Sequence, residues 1–175
     1  MPAARRRRVR LRAVRRARLE WAKAAGRIEV VERAMTQVPD VASSSAARHR
    51  INAWLARHRA DVAAERSELE LLIAADPGDL SAFDRLIDIH KKGNQPALAA
   101  EVSRNRDAVR ELLGRYTMLH GRKQPIRDAE ELARIAERLG RGFEARGFLT
   151  IAVLQEPGRE DLRGKLWTLN SRSRR

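Results

Sequence analysis

Three glycines, Gly140, Gly142 and Gly147, stand within positions 140–147, between two apolar segments. Glycines so close together could let backbone N–H groups cradle a phosphate. That chemistry needs a strand before the loop and the spacing G-x-G-x-x-G at the opening of a helix. Here the preceding periodicity is helical, the third glycine falls inside the following helix, and no Gly-Lys-Ser/Thr follows. The spacing therefore predicts a turn between paired helices, with no nucleotide or other cofactor. Gly140 follows the last periodic residue, Leu139, where a helix commonly closes in the left-handed region. On this ground asparagine should replace Gly140 more mildly than alanine.

The other reactive residue types do not assemble. His49 and His58 are nine residues apart, two and a half helical turns, so they point to nearly opposite faces. Neither H-x-x-x-H nor Glu-x-x-His spacing occurs, which leaves His49, His58, His90 and His120 as structural or surface histidines. Asp84 and Asp88 lie one turn apart, but Arg85, Lys91 and Lys92 stand close by and a solvated face accounts for them. Ser43, Ser44 and Ser45 have no neighbouring base. The absence of cysteine excludes disulfides, thiolate metal sites and cysteine nucleophiles. No catalytic residue and no metal ligand is expected, and the chain reads as a non-enzyme.

The charge is uneven. Of 175 residues 37 are Lys or Arg and 23 are Asp or Glu, a net +14. Positions 1–18 hold nine arginines and no acid: Arg5, Arg6, Arg7, Arg8, Arg10, Arg12, Arg15, Arg16 and Arg18. Without them the remainder is +5, and three more arginines lie in the terminal SRSRR. Such an arm could contact several phosphates, making nucleic-acid binding steeply salt-dependent. It lacks the interleaved aromatics that stack bases, and a solubilising tail or an upstream start codon would also account for it. No segment is apolar enough to span a membrane, and the arm lacks the apolar core of a secretory signal. A cytoplasmic protein is expected.

Period-2 alternation is almost absent and Ala, Leu, Arg and Glu dominate, which predicts an all-α chain. A basic helix is expected from about Arg5 to Ala25, closed by Gly26, then a short helix through Val30, Val31, Ala34 and Met35. Ser43, Ser44 or Ser45 would cap one long helix reaching Ala75, with Ile51, Trp54, Leu55, Val62, Leu69, Leu72 and Ile73 on its face. "ADPGD" breaks that helix. Asp79 caps the next, which carries Phe83, Leu86, Ile87 and Ile89 and ends at Gly93. A second long helix holds Leu98, Val102, Val109, Leu112, Leu113, Tyr116 and Leu119. Asp128 and Glu131 make a capping box before Leu132, Ile135, Ala136 and Leu139. Phe143, Leu149, Ala152 and Val153 mark the return helix, stopped by Pro157. A last helix through Leu162, Leu166 and Trp167 would cover the end. The parts are a basic arm (1–18), N-terminal helices (19–75), a helical region with a capping helix (76–170) and a basic tail (171–175).

The closing third resembles a tetratricopeptide (TPR) repeat, W-x₂-L-G-x₂-Y followed by A-x₃-F and P. Leu132-Ala133 matches the leucine–small pair, Gly140 the turn, Ala145 and Leu149 the A-x₃-F step, with Ala152 and Pro157 in register. Ala129 and Ala136 stand where Trp and Tyr belong. A weaker copy runs from Pro77 through Phe83, Leu86-Ile87 and His90 to Gly93 and Ala99, and a fainter helix–Gly–helix unit surrounds Gly26. The resemblance implies antiparallel helical hairpins stacked as an array and a non-catalytic role in protein–protein interaction or scaffolding, with another protein or domain as partner. It places a binding groove at Arg85, Asp88, Lys92, Arg134 and Arg138. The family's Lys–Asn set for a terminal carboxylate is unmatched, because no Asn stands at the corresponding places, so a mixed-charge groove is expected.

Overall fold

The computed structural model describes residue 14 and residues 17–37 and 44–172, and among these every regular element is a helix. In order they are α1 (17–24), α2 (Ile28–Gln37), α3 (Ser45–His58), α4 (Val62–Ala75), α5 (Leu80–Lys92), α6 (Pro96–Gly121), α7 (Ala129–Arg138), α8 (Gly142–Gln155) and α9 (Glu160–Arg172). No described helix is long and apolar enough to cross a membrane. Most of the arginine arm, all but Arg18, lies outside the described residues, as does most of the loop before α3.

Short polar side chains set the helix starts. Ser44 accepts from the Ala47 N–H at 3.2 Å to cap α3, and Asp79 accepts from the Ser81 and Ala82 N–H groups to cap α5, satisfying donors that a helix N-terminus leaves open. Two glycines supply left-handed turns, Gly26 at φ 65° between α1 and α2 and Gly140 at φ 73° between α7 and α8. After Gly93 the left-handed residue is its neighbour Asn94, at φ 53°.

Two expectations are overturned. The single long helix reaching Ala75 is two helices, α3 and α4, folded back on one another. The chain reverses at Arg59–Asp61 without glycine or proline: Ala60 takes φ 58°, and the Asp61 carboxylate caps α4 by accepting from the Ala64 N–H at 3.0 Å. Val62, expected on a buried face, is the exposed first residue of α4. Nor do Asp128 and Glu131 form a capping box. Asp128 makes no side-chain cap bond and its Oδ2 is buried without a hydrogen-bond partner. Glu131 instead accepts two bonds from Arg115 on α6, at 2.7 and 2.8 Å. A bidentate charge-assisted pair is stronger than the single local bond it replaces.

The core is serial. Leu19, Ala22, Val31, Ile51 and Leu55 join α1, α2 and α3. Ala53, Leu69, Leu72, Ala82, Leu86 and Ile89 join α3, α4 and α5, with Val102 of α6 against them. Leu119 of α6 packs with Leu132, Ile135 and Leu139. A fourth cluster sets Ala129, Ala133 and Ala136 of α7 against Ala145, Leu149 and Ala152 of α8 and Leu162 and Leu169 of α9. Helix α7 thus turns large residues to α6 and small ones to α8, and alanines on both sides let α7 and α8 cross closely. Of the residues expected on the closing helix, Leu162 and Leu166 pack against the α7–α8 cluster, while Trp167 is 72 % exposed. The inward phase of α9 runs Leu162, Leu166, Leu169, and Trp167 is one residue out of it.

Candidate functional site

Two of the clefts along the array are lined wholly by described residues. The first, about 440 Å³, lies between the start of α4 and the end of α5, floored by Val62, Ala63 and Ile89 and edged by Arg66, Arg85 and Lys92. The second, about 400 Å³, lies among α7, α8 and α9, with Leu149 and Leu162 inside and Arg134, Glu130, Glu137 and Lys165 around it.

The five residues expected to form one groove are divided between these places. Arg85 and Lys92 line the first cleft, and Arg134 lines the second. Asp88 and Arg138 are exposed and line neither. Arg85 has a further commitment: its Nε and Nη2 donate to the two carboxylate oxygens of Glu65 at 2.6 and 2.7 Å, and Glu65 is only 2 % exposed. Those hydrogen bonds hold the Arg85 guanidinium above its ordinary pKa. Its fork is thus occupied within the chain, whereas Lys92 and Arg134 project from exposed positions. A sequence signal for the buried acid existed. Glu65 stands four residues before Leu69 and seven before Leu72, on the inward stripe of α4.

The histidines have structural partners. His49 Nδ1 lies 2.7 Å from Glu68 Oε2, and His58 Nδ1 lies 2.8 Å from the Trp54 carbonyl with its ring stacked on the indole at 3.8 Å. The buried His90 lies 2.8 Å from Gln95 Oε1. Asp84 accepts from Arg106 of α6 at 2.9 Å.

A polar cluster that the sequence did not reveal ties α6 to the first turn of α8 and to Arg141 just before it. The Tyr116 hydroxyl donates to Glu144 at 2.6 Å, and the Arg141 guanidinium sits 4.8 Å above the Tyr116 ring. Burial, with the Glu144 carboxylate beside it, pushes the Tyr116 phenol above its ordinary pKa. Among the described residues no group of three or more His, Asp or Glu side chains is placed to hold a metal ion.

No family model matches the chain, and neither the curated proteins nor the solved structures contain a match to it.

Proposed function

We propose that this protein is a non-catalytic helical-repeat scaffold, TPR-like in its second half, which docks another protein or domain along the basic cleft between α4 and α5 and the mixed-charge cleft among α7, α8 and α9. The observation that carries this reading is the serial core. Each apolar cluster joins helices adjacent in the chain, as in repeat arrays whose units contact only their neighbours and whose surfaces serve binding. A cytoplasmic setting belongs to the same reading. The test is affinity capture with the full chain and with Lys92→Glu/Arg134→Glu, each at low and high salt. Loss of a captured protein in the double variant, with helicity unchanged, is the expected result. Arg85 is left intact, because replacing it would strand Glu65.

A second reading rests on the nine arginines of positions 1–18. In it the protein associates with nucleic acid through the phosphate backbone. Capture that is indifferent to the double substitution, falls steeply with salt and disappears when residues 1–18 are deleted or nuclease is added would favour this reading over the scaffold.

A further inference from the structure

Four polar side chains line the cleft between α4 and α5, Arg66, Arg85, Lys92 and Gln95, with no acid among them. Their commitments within the chain differ. The Arg85 fork is closed by its two bonds to Glu65. Arg66 reaches only Glu70, at 3.9 Å, beyond hydrogen-bond length. Lys92 has no hydrogen bond or ion pair among the described residues. Gln95 Oε1 accepts from Nδ1 of the buried His90 at 2.8 Å, so its acceptor is used and its side-chain N–H groups are left open.

Every side-chain polar group left to this cleft is therefore a donor, and two of them are cations. The floor beside them is aliphatic, made by Val62, Ala63 and Ile89. The cleft among α7, α8 and α9 differs, since Glu130, Glu131 and Glu137 stand between its basic residues. Charges of one sign around an apolar floor select an occupant that carries the opposite sign around an apolar group.

The cleft is also shallow. It holds about 440 Å³, within the roughly 300–1,000 Å³ of ligand pockets. Those pockets enclose most of a small molecule, whereas here Val62 of the floor is 56 % exposed and Arg66, Lys92 and Gln95 are exposed as well. A free amphiphile would keep much of its apolar surface in water. A side chain projecting from a longer chain needs only its own end covered, while its neighbours continue along the rim. We propose that this cleft receives an acidic segment of the partner protein. A leucine-like side chain rests on Val62, Ala63 and Ile89, and flanking Asp or Glu carboxylates meet Lys92 and Arg66. The Gln95 N–H groups donate to a carbonyl oxygen of the segment. This inference names the partner chemistry of one cleft and so rests on the scaffold reading.

Isothermal titration calorimetry of the full chain tests it, using a peptide with two leucines flanked by glutamates. The peptide is blocked at both ends, so only its side-chain acids can act. Binding should weaken by about tenfold or more when its leucines become serines. It should weaken by about threefold to fivefold in Lys92→Gln and about tenfold in Arg66→Gln/Lys92→Gln, with circular dichroism unchanged, and persist in Lys92→Arg. The nine arginines of positions 1–18 would also attract acids, but without regard to leucine or to Lys92. Equal binding of the serine peptide, or binding that survives the double substitution, therefore overturns the proposal, as does no binding at millimolar peptide. Octanoate held as tightly as the peptide would overturn it in favour of a small amphiphile. A protein captured by the full chain and lost in Lys92→Glu/Arg134→Glu, with no binding of the leucine–glutamate peptide, would leave the scaffold standing and remove this inference alone.

Discussion

Gly140 and Pro77 stand against each other where two inter-helix turns meet: a Cβ built on Gly140 would lie 2.7 Å from Pro77 Cδ. Pro77 belongs to the turn between α4 and α5, and Gly140, at φ 73°, to the turn between α7 and α8. The glycine therefore meets two demands at once, a left-handed backbone and the absence of a side chain.

Gly140→Ala should cost about 2–4 kcal/mol, combining backbone strain with displacement of the proline ring. Gly140→Asn should be no milder, contrary to the expectation from backbone preference alone, since asparagine brings the same Cβ into the same ring. Chemical denaturation of a double-mutant cycle with Pro77→Ala measures the contact, with a coupling of about 1 kcal/mol expected. Strict additivity would remove the steric part of the argument. A nucleotide should give no thermal protection.

Ala145 is fully buried between α7 and α9, facing Ala129, Ala133 and Ala136. Ala145→Leu should overpack this crossing and cost about 1–3 kcal/mol. A thermal midpoint equal to that of the wild type would contradict the close approach of α7 and α8.

The reversal between α3 and α4 offers substitutions of opposite sign. Ala60 sits at φ 58°, so Ala60→Gly should relieve strain and stabilise by about 0.5–1 kcal/mol after the greater freedom of glycine in the unfolded chain is allowed for. Asp61→Ala removes the cap on Ala64 and should destabilise by about 1 kcal/mol. If Ala60→Gly were destabilising, the left-handed assignment at Ala60 would be wrong.

Arg85→Met leaves the buried Glu65 carboxylate without its guanidinium and should cost about 3 kcal/mol. Adding Glu65→Leu to Arg85→Met should recover most of that loss, because the stranded charge is then gone. Urea unfolding of the three variants decides the matter, and no recovery in the double variant would mean that charge burial is not the cause.

Arg50 bridges Asp79 at 2.7 Å and Asp76 at 3.1 Å, joining α3 to the turn before α5. Burial pushes the Asp79 carboxyl up, but hydrogen bonds from Ser81, Arg50 and the Ala82 N–H outweigh it and hold the pKa below its ordinary value. A lowered carboxylate pKa means stability that is fully present above the ordinary range and lost as pH falls through the folded value. Arg50→Gln should therefore destabilise by up to about 1 kcal/mol at neutral pH, the modest size reflecting a half-exposed arginine. The difference in thermal midpoint from wild type should shrink below about pH 4. A difference that stays constant from neutral to acid pH would show that Asp79 ionisation plays no part.

The sequence was most legible where a local rule acts alone. Ser44 and Asp79 cap helices because their oxygens reach N–H groups two or three residues on, and that geometry needs no distant partner. Gly26 and Gly140 close helices for an equally local reason, the backbone freedom of glycine. The inward residues of α5 and α7 follow from helical period, which is a property of position along the chain.

Choices between competing local options were another matter. Ala60 and Asp61 could have continued a helix, and Glu131 could have capped one. The five charged side chains expected in one groove are spread over two clefts and open surface, with Arg85 drawn to Glu65. By itself the sequence determined an all-helical chain, most of its helix boundaries and the apolar stripes that had to be buried, because periodicity, capping and glycine turns are encoded within a few residues. Only the tertiary structure decided where α3 folds back on α4, which carboxylate takes which guanidinium and why Gly140 admits no Cβ. Each of these depends on atoms many positions away in the chain, and burial and charge pairing between such atoms outweigh local preferences worth about 1 kcal/mol or less.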